Sequence, residues 1–395
     1  MRTFNEKMSI YHGMASAVAT NTSNSYIPLF AMTILGATNY QVGLISSIPP
    51  LMSLLMTVPA AILLNRSAEH KKLVAFAVLA ARLVFLLVLF ITLTPAAVTS
   101  WLFLGLIAFM SIPNTLATVG WQSFIGHIID DHRRAHFFSD RNRFMTMIGL
   151  VSTLTIGIVM RDYTASVVAY NILFSITFVC GVIEFIFIMR HEETPRRLHA
   201  HEKQSMNWSI FKDANYVRFL MVALIFNFGW QMAWGLFNIY NVRYAEASIF
   251  WISMFNVGSS ISQIIAFPIW RKLCDKHGNM RTFVIVAFGM STAPFLTILS
   301  TNFYYLTFMM MLSGFFVAGT VLILFNLLLE NSAAENRTYC ITTYNVLLAI
   351  VAFVAPQIGI FLLETWTMNV AMTLSTVMRF AAASGFLYVY LKSKK

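Results

Sequence analysis

A chain of 395 residues in which 58% are hydrophobic and only 11% charged is no ordinary soluble domain, where about 25% of residues carry charge. Its 27 Lys and Arg against 16 Asp and Glu, a net charge of +11, would suggest nucleic acid as the partner of a soluble protein. Here the basic residues fall in short stretches between apolar runs, which excludes that partner and leaves lipid headgroups and insertion topology to explain them. Cys180, Cys274 and Cys340 stand apart in the chain, so neither a disulfide framework nor a thiolate metal site is expected, and no cofactor is called for. The first apolar segment is too long for the core of a cleavable signal and lacks a small-residue cleavage site after it.

In chain order, apolar runs bounded by charge or turn residues predict twelve membrane spans. They fall at 8–35, 40–64, 73–94, 99–128, 143–160, 165–189, 216–242, 248–270, 281–299, 303–329, 338–363 and 367–391. The fold class is therefore an all-α polytopic membrane protein. Only Arg161 and Arg243 lie in the odd-numbered connections, and Arg82 and Arg379 sit inside spans. The remaining basic residues flank the even-numbered connections and the termini. The positive-inside rule thus places both termini in the cytoplasm of a multi-pass cell-membrane protein.

The first span contains seven consecutive polar residues, Thr20-Asn21-Thr22-Ser23-Asn24-Ser25-Tyr26. Lipid cannot surround such a run, so one face must look into protein or a wet cavity, with Asn21, Asn24 and Tyr26 as candidate solute contacts. In span 7, Asn227, Gln231, Trp234 and Asn238 recur at i, i+4, i+7 and i+11 beside Trp230, one continuous helical face. Span 4 repeats the pattern with Asn114, Thr118 and Trp121 or Gln122, and span 8 with Asn256, Ser260 and Gln263. Such stripes also arise from hydrogen bonding between helices, at roughly 0.6 kcal/mol each.

Charge inside the membrane is the sharper signal, because an unpaired arginine there costs roughly 2.5–3.5 kcal/mol or more. Arg82 and Arg379 are mid-span, whereas Glu184 lies nearer the end of span 6. Two cations with one poorly matched acid would suit an anionic substrate or a lipid headgroup. The plainer reading is that each arginine bonds a neighbouring helix.

The polar connection 190–215 divides the spans six and six and reads as a linker between halves 1–189 and 216–395. The halves echo each other. Asn65-Arg66-Ser67-Ala68-Glu69-His70-Lys71-Lys72 after span 2 is matched by Asp275-Lys276-His277-Gly278-Asn279-Met280-Arg281 after span 8. Asp131-His132-Arg133-Arg134-Ala135 is matched by Ala334-Glu335-Asn336-Arg337-Thr338 at a similar offset. Two landmarks at nearly one offset predict a six-span duplication and two pseudo-symmetric six-helix bundles.

With these landmarks the chain resembles the major facilitator superfamily, whose loop motif has the form G-x-L-x-D-R-x-G-R-R between spans 2 and 3. The first copy keeps Leu63 and Arg66 but has Ala61, Asn65 and Ala68 in place of Gly, Asp and Gly. The second keeps Leu273, Asp275, Lys276 and Gly278, with Arg271 at the leading Gly position. Ala355-Pro356-Gln357-Ile358-Gly359 in span 11 is similar to the family's glycine and proline cluster.

The resemblance implies a central cavity lined by spans 1, 4, 7 and 10. It also implies gating loops in which Arg66, Asp275, Lys276 and Arg281 latch one conformational state. Proton-driven relatives hold a carboxylate in the cavity wall, and the candidates for coupling are Glu184, Glu330, His127, His12, Asp130 and Asp131. For each of these a solvated helix-end charge is the blander reading. The expected function is a secondary transporter moving a small polar or amphiphilic solute by alternating access, as a monomer, with protons as a candidate coupling ion. A lipid or amphiphile flippase or efflux pump of the same fold is the alternative, and a non-transporting membrane sensor the remotest. No catalytic constellation appears, so an enzyme is not expected.

Overall fold

The computed structural model describes residues 3–67, 70–128, 131–192, 208–332 and 337–393. Among these there is no strand, and thirteen α-helices follow one another. They are α1 (Phe4–Ser23), α2 (Ile27–Thr33), α3 (Asn39–Arg66), α4 (His70–Leu89), α5 (Ala96–Ile128), α6 (Asp131–Val159) and α7 (Val167–Met189). Then come α8 (Ala214–Ile239), α9 (Ile249–His277), α10 (Asn279–Thr297), α11 (Phe303–Glu330), α12 (Arg337–Thr365) and α13 (Met368–Ser393). Eleven of them are long and apolar enough to cross a membrane. The twelfth span is the one broken into α1 and α2.

That break has a local cause. Pro28 opens α2; a continuous helix would need its missing N–H and would drive its ring into the carbonyl of Asn24. The hydroxyls just before the break turn back on the helix instead, Thr22 Oγ1 donating to the Val18 and Ala19 carbonyls and Ser23 Oγ to the Ala19 carbonyl. Helix starts elsewhere carry their caps in the sequence. Thr3 with Glu6 and Thr38 with Gln41 form capping boxes, and Asp213 and Asn302 accept from the first N–H groups of α8 and α11. The largest departure from the predicted spans is α6, which begins at Asp131 rather than near residue 143. Its first three turns are helical but charged, so a search for apolar runs passes over them.

The chain divides into two compact units. The first comprises Met1–Gln41, Leu51–Lys203 and Ser248–Ser253, and the second Val42–Pro50, Gln204–Ala247 and Met254–Lys395. In the first, α7 packs on α1 and α4, α4 also on α5, and α1 on α6. The second repeats the scheme with α13 on α8 and α10, α10 on α11, and α8 on α12. Four equivalent helix pairs in one order are the physical form of the predicted duplication: each unit is a pseudo-symmetric copy of the other. The second unit has an aromatic core in which Phe226, Phe283 and Phe386 meet edge to face, the arrangement ring quadrupoles favour. A core of the first is Phe30 against Phe103, Tyr170 and Phe174.

Candidate functional site

The first unit carries a partly open cavity of about 230 Å³. Its wall takes His12 and Ser16 from α1, Arg82 from α4, and Arg141 and Glu184 from α6 and α7. From α5 come Asn114, Thr118, Trp121 and Gln122, the polar stripe of span 4 lying along one face. Val78, Ala81 and Ala117 supply the apolar part of the wall.

Glu184 is the centre of its electrostatics. Its carboxylate accepts from Arg82 Nε at 3.1 Å and lies 3.7 Å from His12 Nε2. With 2% of its surface exposed, Glu184 is not the solvated helix-end charge that its place in the sequence suggested: α1 and α4 close over it. Two glycines make the cluster possible. A Cβ at Gly181 would stand 2.4 Å from the Arg82 stem, and one at Gly13 would stand 2.9 Å from Arg141 Nε.

Arg141 is the residue that sequence reasoning missed. It is 8% exposed, its guanidinium carbon stands 4.1 Å above the Trp121 ring, and its Nε donates to the Ser9 carbonyl at 3.4 Å. The His12 ring stacks on Trp121 at 6.3 Å. A signal was present: Phe137, Arg141, Met145 and Ile148 recur at i, i+4, i+8 and i+11, the spacing of one helical face.

The other predicted contacts are placed as follows. Asn21 donates to the Ala17 carbonyl at 2.7 Å and accepts from Thr153 at 3.0 Å, beside Gly149. Asn24 is exposed in the break, and Tyr26 is fully buried with its hydroxyl 2.8 Å from Ser253 Oγ. Asn227 is buried, donating to the Ala223 carbonyl and the Tyr344 hydroxyl. Gln231 is buried, Trp230 meets Trp234 edge to face at 6.0 Å, and Asn238 and Asn256 are half-buried. Gln263 donates to Ser259 Oγ at 3.2 Å. Arg66, Asp275, Lys276 and Arg281 are exposed at helix ends, and Glu330 accepts from Asn279 at 2.6 Å. The side chains of His127, Asp130 and Asp131 lie outside the described residues, as do those of Ala61, Asn65, Ala68 and Glu69 in the first loop motif.

Arg379 stands apart from all of this. Fully buried, it donates from Nε to the Gly229 carbonyl, from Nη1 to that of Met290 and from Nη2 to that of Trp230. It ties α13 to α8 and α10.

A sequence profile described as Major Facilitator Superfamily matches residues 13–261. The chain belongs to the major facilitator superfamily. No curated protein sequence is similar to it, but solved structures are. A bacterial homologue of the iron transporter ferroportin, inward-facing, has 11% identity and a TM-score of 0.75 over 98% of this chain and 99% of its own. The nucleoside transporter NupG has 11% identity and a TM-score of 0.73 over 98% and 99%. A bacterial homologue of the human lysosomal transporter Spinster has 11% identity and 0.69 over 98% and 98%. At such identity these likenesses bear on the fold alone. The family membership makes the chain a multi-pass secondary transporter of small solutes that works by alternating access, and not an enzyme.

Proposed function

We propose that this superfamily member moves a small polar solute across the cell membrane as a monomer, with halves 1–189 and 216–395 rocking about the solute and both termini in the cytoplasm. We further propose that protons are the coupling ion and that Glu184 carries them. One observation supports that choice: a buried carboxylate in the wall of a cavity, held between Arg82 and His12. The charged and titratable groups facing it are His12 from α1, Arg82 from α4 and Arg141 from α6. With Glu184 ionised, the Arg82 pair ties α4 to α7. Protonation removes the charge that holds Arg82 and frees the guanidinium, so a proton switches the wall between two arrangements.

The test is uptake into proteoliposomes from a pooled metabolite mixture, read by mass spectrometry with and without an inward-directed proton gradient. The expected result is gradient-driven accumulation in the wild type. In Glu184→Gln, solute exchange survives and the gradient dependence is lost. Identical uptake under both conditions would exclude proton coupling.

A further inference from the structure

The charges around the cavity do not balance. Among the described residues in its wall, Glu184 is one carboxylate facing two guanidinium groups. Arg82 takes it. Arg141, more than nine-tenths buried, has only the Ser9 carbonyl, on Nε, and the face of Trp121. The two terminal nitrogens of its fork carry no hydrogen bond to a described residue. A buried cation that shares its one carboxylate with a second arginine is costly, and structural burial favours an apolar residue in its place. A forked guanidinium with free ends matches the two oxygens of a carboxylate. The amides of Asn114 and Gln122 line the same cavity, and Val78, Ala81 and Ala117 offer an apolar wall.

We propose that this cavity is an anion subsite in which Arg141 binds the carboxylate of a small organic acid, whose apolar body lies against α4 and α5. This rests on the transport reading and narrows its substrate class. Gly13 serves the site by leaving room for the guanidinium.

The test is thermal unfolding of the purified full-length protein in neutral detergent at constant ionic strength. The probes are benzoate, its neutral isostere benzamide, and phosphatidylglycerol as a source of anionic headgroup. Benzoate is expected to raise the unfolding temperature more than benzamide does. Arg141→Gln should erase that difference without lowering the ligand-free unfolding temperature, because it removes an unbalanced buried charge. Arg141→Lys should keep part of it. If Arg141→Gln does not fold, Gly13→Ala serves instead: its Cβ displaces the fork while keeping the charge, and it too should lose the benzoate shift. An equal effect of the two isosteres, or a benzoate shift that survives Arg141→Gln or Gly13→Ala, overturns the subsite. So does an Arg141-dependent response to phosphatidylglycerol alone. The transport reading is judged separately by the liposome assay, so benzoate indifference with intact uptake of neutral solutes overturns the anion subsite only.

Discussion

Arg379 and Glu184 look alike in the sequence, single charges in apolar spans, yet they are solved by different chemistry. Glu184 finds a partner of opposite charge on α4, whereas Arg379 spreads its charge over three main-chain carbonyls. The Gly229 and Trp230 carbonyls sit inside α8 and can accept helix N–H groups as well, but the residue four beyond Met290 is Pro294, which has no N–H to give, so removing the arginine strands the Met290 carbonyl. Substitution by a residue of similar length and no charge therefore removes the buried charge but leaves one buried acceptor unsatisfied. Arg379→Met is expected to lose about 1–3 kcal/mol. Arg379→Lys keeps a buried charge, cannot reach three carbonyls at once, and is expected to lose about 3 kcal/mol or more. Chemical unfolding of the two variants checks the order, and a lysine variant more stable than the methionine one would show that the cost of burying charge has been overstated. The sequence could show that both residues are mid-span, but not which carbonyl or carboxylate would meet them, since those partners lie 89 to 150 residues away.

Elements were legible where apolar length and capping agreed, and obscured where they conflicted. The twelve spans followed from runs of apolar residues, and Thr38 with Gln41 or Asp213 marks a start that the structure uses. Span 1 was legible as polar but not as broken, because the break depends on Pro28 in the company of a run that can bond back to its own carbonyls. The early start of α6, and with it Arg141, was hidden because charged turns carry no apolar signal. Close helix contacts were hidden as well, apart from the glycine of span 11. A Cβ at Gly359 would stand 2.4 Å from the carbonyl oxygen of Met232, main-chain atoms of α8 that cannot rotate away. Gly359→Ala is expected to push α12 from α8 and destabilise the protein by about 1–3 kcal/mol, read by thermal unfolding. An unchanged unfolding temperature would mean that this helix pair gives way freely.

At the scale of the molecule, the duplication read from two loop landmarks reappears as four equivalent helix pairs, so topology was the most legible level of all. The reason is that topology depends on the number and order of apolar spans, which the bilayer forces into the composition. The candidate site depends on a few side chains whose neighbours come from other helices, and of its charged members the sequence singled out Arg82, Glu184 and His12 but not Arg141. Alternating access by rocking of halves makes a demand that can be tested inside one unit: the packing of its helices must persist through the cycle, even where a side-chain pair such as Arg82 with Glu184 opens and closes. Thr22 on α1 and Thr177 on α7 have hydroxyl oxygens 2.7 Å apart in the buried interior of the first unit, a separation within reach of a disulfide. The double variant Thr22→Cys with Thr177→Cys, in a background where Cys180, Cys274 and Cys340 are replaced by Ser or Ala, should cross-link on mild oxidation. Its transport rate in liposomes should be the same oxidised and reduced, because a bond inside a rigid body does not oppose rocking. If oxidation stops transport and reduction restores it, α1 and α7 move against each other during the cycle, and the unit is not the moving body.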